Sequence, residues 1–185
     1  MSSTKVIAIS GVSGAGKTKI IKYLSNQLNC PHLLFDEYTD DKTYPSNMKN
    51  WLAEGADVSL IKTPKLSHAL TQLLSTNNNR IILIEEPFGK AREEMATFID
   101  HVIFLDPPLE LCLARVIQRQ LKHCDEHSQS SISGYLDKYV DHFRDIYRDT
   151  ASQVRKNCDL VIQENIAIKD VIQSINCWLK SNALN

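Results

Sequence analysis

No apolar run in the 185 residues approaches the length needed to cross a bilayer. The first apolar stretch is too short for a signal peptide and flows straight into a glycine-rich turn, so no secretory leader is expected. There is no Cys-x-x-Cys. Five cysteines (Cys30, Cys112, Cys124, Cys158 and Cys177) are scattered and odd in number, which argues against a disulfide framework and for free thiols in a reducing compartment. Lysine and arginine (21) are balanced by aspartate and glutamate (22), and no basic stripe is present, so neither nucleic acid nor another polyanion is expected as the main partner. Internal repeats and low-complexity tracts are missing. What remains is an ordinary globular composition, 43% apolar and 23% charged, in a chain whose length suits one domain, residues 1–185, located in the cytoplasm.

Against that background one stretch stands out. Gly11-Val12-Ser13-Gly14-Ala15-Gly16-Lys17-Thr18 fits the pattern of Gly, four arbitrary residues, then Gly-Lys-Ser/Thr. Lys5–Ser10 before it reads as a short buried strand, and residues 18–28 after it carry Ile20, Ile21, Leu24 and Leu28 at helical spacing. The chemistry asks for these residue types. Glycines let backbone N–H groups approach phosphate oxygens, and the helix start adds unsatisfied N–H groups and a positive dipole end. Gly11, Ser13, Gly14, Ala15 and Gly16 would cradle a triphosphate, Lys17 would reach its β and γ phosphates, and the Thr18 hydroxyl would hold magnesium. The bland alternative, a strand-to-helix turn that binds nothing, agrees less well with strand, loop and helix taken together.

Further along, strand and helix patterns alternate. Residues 32–35 read as a second strand ending at Asp36 in an acidic cluster, and residues 80–84 as a third ending at Glu85-Glu86-Pro87. Ligands of open parallel sheets bind outside the carboxyl ends of strands, so Asp36 is a candidate general base and Glu85 a candidate partner of magnesium's water shell. Residues 42–63 are loop-rich with a short helix around 48–53, where Trp51, with Tyr38 and Tyr44, would either stack on a flat substrate or pack a core. Helices are expected at 64–76, ended by Asn77-Asn78-Asn79, and at 89–98. Residues 101–105 form the fourth strand, and Asp106 would cap the helix at 109–121. That helix places Arg115 and Arg119 on one face, suited either to phosphate charge in transfer or to exposed salt bridges. Residues 123–134 are polar and Ser-rich and read as a mobile loop; His123, Cys124 and His127 within it match no zinc spacing. A long amphipathic helix over 135–154, a fifth strand at 159–163 and a helix over 166–179 complete a three-layer α/β domain with a five-stranded parallel sheet.

GVSGAGKT, an aspartate after the second strand, Glu85 after the third, HVIFLDPPLELCLARVIQR and YLDKYVDHFRDIYRDTASQVRKNCDLVI together resemble the uridine kinase-like group of phosphate-loop kinases, which includes nicotinamide riboside kinases. The resemblance implies strand order 2-3-1-4-5, ATP and Mg²⁺ as cofactors, and phosphotransfer to the 5′-hydroxyl of a nucleoside. By residue matching it implies that Asp36 takes the hydroxyl proton, that Lys17 and Thr18 hold the triphosphate with magnesium, and that Arg115 and Arg119 are the lid arginines that neutralise the phosphoryl group in flight, with a mobile lid around 119–134. The chain departs from the pattern where Val116 replaces a second lid arginine, where Gln120 replaces the aspartate usual after the last arginine, where Glu37 follows Asp36, and where Glu86-Pro87 replaces Glu-Gly. Residues 38–63, the region of the acceptor, match poorly.

The acceptor therefore stays open: a nucleoside, another small hydroxyl compound, a nucleoside monophosphate or a cofactor precursor. A monophosphate would need extra cations, for which Lys90 and Arg92 are the candidates. A reading from a different class, a nucleotide-dependent regulatory ATPase, is weakened by the missing Asn-Lys-x-Asp motif and the lack of a water-positioning glutamine after the third strand. No membrane partner is expected, and a homo-oligomer stays open.

Overall fold

The computed structural model describes residues 4–76, 79–122, 128–163, 167–182 and 184. Five parallel strands, β1 (Lys5–Ser10), β2 (His32–Leu33), β3 (Ile81–Glu85), β4 (His101–Leu105) and β5 (Leu160–Ile162), lie in the order β2-β3-β1-β4-β5. The helices are α1 (Lys17–Leu28), α2 (Met48–Ala53), α3 (Pro64–Thr76), α4 (Glu93–Ala96), α5 (Leu109–Leu121), α6 (Ser128–Lys138), α7 (Arg144–Arg155) and α8 (Ile168–Ser181). The expected fold class and strand order are those observed.

Side-chain alternation explains the layers. Successive residues of a strand point to opposite faces, and a parallel sheet is covered on both. Val6 and Ala8 of β1, Ile82 and Ile84 of β3, and Val102 and Phe104 of β4 join Trp51, Leu66, Leu70, Ile146 and Val154 in one core. Ile7 and Ile9, Ile81 and Leu83, and Ile103 and Leu105 join Ile20, Leu24, Cys112, Ile172 and Ile175 in the other. So α2, α3 and α7 cover one face while α1, α5 and α8 cover the second. The central strand β1 pairs with β3 on one side, Ile9 opposite Glu85, and with β4 on the other, Ser10 opposite Phe104. This register brings the turn after β1 level with the acid at the end of β3.

Several expectations are corrected. The second strand ends at Leu33, and Phe35–Tyr38 instead forms a 3₁₀ turn that carries Asp36 one step beyond the sheet. The helix expected at 89–98 is split into a 3₁₀ turn at Gly89–Ala91 and the short α4, because Arg92 between them is extended at φ −90, ψ 106. The Ser-rich stretch expected to be a loop is helical from Ser128 onward, with Ile132, Tyr135 and Tyr139 at helical spacing; residues 123–127, including His123, Cys124 and His127, lie outside the described residues. The long helix after it is interrupted by a π-helical turn at Tyr139–Phe143. Asp106 does not cap α5, whose first turn follows Pro108 without a side-chain cap; its carboxylate pairs with Arg155 of α7. Among the described residues no helix is long and apolar enough to cross a membrane, and Cys30, Cys112, Cys158 and Cys177 are free thiols.

Candidate active site

The turn between β1 and α1 is built around left-handed glycines. Gly14 sits at φ +84, and a Cβ there would lie 2.2 Å from the Cys112 carbonyl oxygen, so only glycine fits against α5. Gly11, at φ +141, approaches the Leu105 carbonyl oxygen just as closely, with 2.4 Å to an ideal Cβ. Gly16 precedes α1 at φ 102 without any side-chain cap, and the first turn of α1 carries no acid. The leading N–H groups of the helix therefore face the turn with neither a capping side chain nor a repelling carboxylate.

Lys17 is buried with 8% exposure, yet its ammonium stays within reach of oxygens: Nζ donates to the Val12 carbonyl at 3.1 Å and lies 3.5 Å from Glu85 Oε1. Burial lowers its pKa below the usual lysine value, opposed by the charges of Glu85 and Asp36. The Thr18 hydroxyl donates to Glu85 Oε2 at 2.9 Å. With its proton engaged there, the Thr18 oxygen keeps lone pairs for a cation, and a carboxylate stands beside it. Thr18 and Glu85 thus offer hard oxygen donors of the kind Mg²⁺ takes. Among the described residues no group of three or more His, Cys, Asp or Glu side chains could hold a metal by itself. A magnesium bound here would accordingly lean on the triphosphate and water for its other ligands.

All of this opens into one cavity of about 630 Å³. Gly11, Ser13, Gly14, Gly16, Lys17, Thr18, Asp36, Glu85, Arg115 and Arg119 all line it, so the candidate residues named from the sequence converge, with Ala15 buried just behind the turn. Arg115 and Arg119 project from one face of α5, and Arg115 Nη1 also donates to the Gly14 carbonyl at 3.4 Å. Val116, where a second lid arginine would stand, is 2% exposed, so an arginine at that position would meet the core. A second, smaller cavity behind the turn is lined by Gly16, Lys19, Ile20, Pro107, Arg115, Ile168 and others.

The far half of the main cavity is different in kind. Phe35, Tyr44, Met48, Trp51, Ile61, Phe88, Phe143 and Tyr147 line it. Trp51 is 3% exposed and packs in the core, its Nε1 donates to the Asp57 carbonyl at 2.9 Å, and it also lines the cavity. Phe143 and Tyr147 were legible only as the apolar face of an amphipathic helix; nothing in that periodicity separates a pocket wall from a core. Arg92 is fully buried, with Nη1 2.7 Å from Thr63 Oγ1 and its Nη2 paired to Glu86, and Lys90 donates to the Asp100 carbonyl at 2.7 Å. Neither lines the cavity as a cation for a second phosphate, which corrects that expectation.

No family model matches the chain. It is 25% identical to a uridine kinase of Haemophilus influenzae, with 85% of each chain covered. It is 28% identical to a probable adenylyl-sulfate kinase of Pseudomonas aeruginosa, over 72% of this chain and 63% of that one. Among solved structures, shikimate kinase from Acinetobacter baumannii in complex with shikimate superposes with a TM-score of 0.60 at 20% identity, covering 100% of this chain and 97% of the other. The fold is that of P-loop kinases, and these similarities support a P-loop phosphotransferase. Similarity spread over uridine, adenylyl-sulfate and shikimate kinases supports a kinase of small molecules.

Proposed function

We propose that this kinase moves the γ-phosphoryl group of ATP to a hydroxyl of an uncharged, flat-ringed small molecule, with the 5′-hydroxyl of a nucleoside as the best fit. The observation that carries the reading is the distribution of charge around the cavity. Among the described residues its lining cations, Lys17, Lys19, Arg115 and Arg119, all sit on α1 and α5 at the phosphate end, whereas the opposite end is aromatic and aliphatic. An anionic acceptor such as a nucleoside monophosphate, or a carboxylate such as shikimate, would meet no lining cation at that end among the described residues. A planar base between aromatic rings would gain from stacking there.

In this reading Asp36 orients the acceptor hydroxyl and takes its proton as the oxygen bonds to the γ phosphorus and the bond to the ADP oxygen breaks. Lys17 and the amides of the turn hold the β and γ oxygens, and Arg115 and Arg119 offset the charge on the group in transfer. Mg²⁺, held beside Thr18 and Glu85, would supply charge neutralisation of the triphosphate. The base of ATP would lie in the smaller cavity, between Ile20, Pro107 and Ile168. Closure of α6 over the ligands belongs to the same reading; the π-helical turn at its end is a type of irregularity often found at functional sites. The free thiols and the lack of a spanning helix among the described residues support a cytoplasmic placement.

The test is a panel of ribonucleosides, nucleoside monophosphates, shikimate and adenylyl sulfate with ATP and Mg²⁺, read by mass spectrometry for a phosphate gain and by ADP release. Nucleoside-dependent ADP release supports the proposal. Preference for an anionic acceptor overturns the acceptor class, and ADP release indifferent to every acceptor overturns the kinase reading in favour of a regulatory ATPase.

A further inference from the structure

Behind the acceptor end of the cavity lies a charged cluster that phosphate chemistry does not use. Glu86 and Arg92 are both fully buried and pair directly. Arg92 Nε donates to Glu86 Oε1 at 3.2 Å, and Nη1 donates to Thr63 Oγ1 at 2.7 Å and to the Ile61 carbonyl at 3.3 Å. Its guanidinium carbon stands 5.6 Å from the centre of the Phe35 ring, which meets Phe88 edge-on at 6.0 Å. Glu86 is held in turn: its amide donates to the Ile9 carbonyl at 3.3 Å, its carbonyl accepts from the Ser10 hydroxyl at 2.6 Å, and its Oε1 accepts from the Phe88 amide at 3.3 Å. A buried ion pair is a costly way to stabilise a fold, because desolvation offsets much of the attraction. Its use here lies in what it touches. Phe35, Ile61 and Phe88 come from three separate segments, all three line the acceptor end of the cavity, and all meet at Arg92 or its partner. Phe35 also immediately precedes Asp36.

We propose that Arg92 and Glu86 are positioning residues for the acceptor: through Phe35 they set the aim of Asp36, and through Ile61 and Phe88 they set the floor on which the acceptor rests. This rests on the proposed function for the identity of the pocket. Glu85 and Glu86 then divide the work of two adjacent carboxylates, one facing the triphosphate and the other holding the pocket from behind. A stabilising pair with no positioning role would lower the amount of folded enzyme and leave both Michaelis constants alone. A positioning pair acts on one substrate only.

The experiment uses two variants that keep side-chain shape, Thr63→Val and Glu86→Gln, in the full chain. Hydrogen exchange is followed with the β,γ-imido analogue of ATP bound, and steady-state kinetics with ATP and uridine. Faster exchange in residues 34–39 with residues 11–18 protected as in the wild type, unchanged affinity for the analogue, and a fall of about 10-fold in kcat/KM for uridine at constant KM for ATP support the proposal. Unchanged exchange at residues 34–39, or loosening that extends equally to residues 11–18, overturns it. Should Glu86→Gln fail to fold, Thr63→Val, which removes one hydrogen bond, decides alone. Should the wild type phosphorylate no ribonucleoside, the proposed function falls, while the exchange measurement still decides whether the pair sets the Asp36 turn.

Discussion

The two ends of the main cavity are made in opposite ways. At the phosphate end, one contiguous turn and the first residues of α1 supply most of the groups, and backbone amides and glycine geometry matter as much as side chains. At the acceptor end the walls come from the 3₁₀ turn after β2, from α2, from the segment before α3, from the turn after β3 and from α7, and contribute side chains. A local motif can be recognised in a sequence because its spacing is its structure. A wall assembled from distant segments leaves only apolar residues in each, and apolar residues are what every core also uses.

If the division is real, the ends should fail separately, and Asp36→Asn is the sharpest way to try. It is expected to lower kcat by on the order of 100-fold, about 3 kcal/mol, with affinity for an ATP analogue unchanged in calorimetry. An equal loss of nucleotide affinity would merge the two halves. Gly14→Ala strikes the other end: strain at φ +84 and the contact with Cys112 should cost about 1–3 kcal/mol. That loss would appear as a lower melting temperature and weaker nucleotide binding, and a variant as stable and as tight as the wild type would refute the packing described. Tyr44→Ala, at a residue 43% exposed and therefore cheap to truncate, should raise the acceptor KM by about 10-fold if its ring stacks on a base, and leave the KM for ATP alone.

The smallest effect is a pH dependence confined to the phosphate end. Burial lowers the Lys17 pKa below 10.5 in the empty site, while a bound polyphosphate favours the ammonium form. Nucleotide binding should therefore take up a proton at alkaline pH, and affinity should fall as pH rises towards 10.5, by no more than about tenfold per pH unit. The sign for folding is opposite: the buried ammonium costs stability while the unfolded lysine is still protonated, and the cost fades as pH rises. Titration calorimetry in buffers of different ionisation enthalpy reads the proton uptake, and Lys17→Arg, which stays charged, should flatten the profile.

Much of the frame was legible in advance. The bounds of β1, β4 and α5 coincide with the apolar runs and helical spacing read at 5–10, 101–105 and 109–121. Asp36, Glu85, Arg115 and Arg119 were placed by strand ends and helix faces, and they meet in one cavity. Legibility ended where tertiary contacts decide. Leu34 and Phe35 continue an apolar run, yet the chain leaves the sheet at Leu33 and turns so that Phe35 packs over Arg92. Ser128 to Gly134 has the composition of a loop, but the apolar positions that make it helical continue into Tyr135 and Tyr139, beyond the polar window. Arg92, a candidate cation for an acceptor phosphate on sequence alone, is instead buried against Glu86, six positions earlier, and against Thr63 and Ile61, about thirty positions earlier.

The fit of Gly14 against the Cys112 carbonyl has a consequence for anyone wishing to rebuild this molecule. With no room for a side chain between them, the turn and the first half of α5 form one mechanical part, tied again by the bond from Arg115 to the Gly14 carbonyl. Transplanting the turn alone into another scaffold would discard the surface it was moulded on. The portable module is turn plus arginine helix, and redesign of the acceptor end can proceed without touching it.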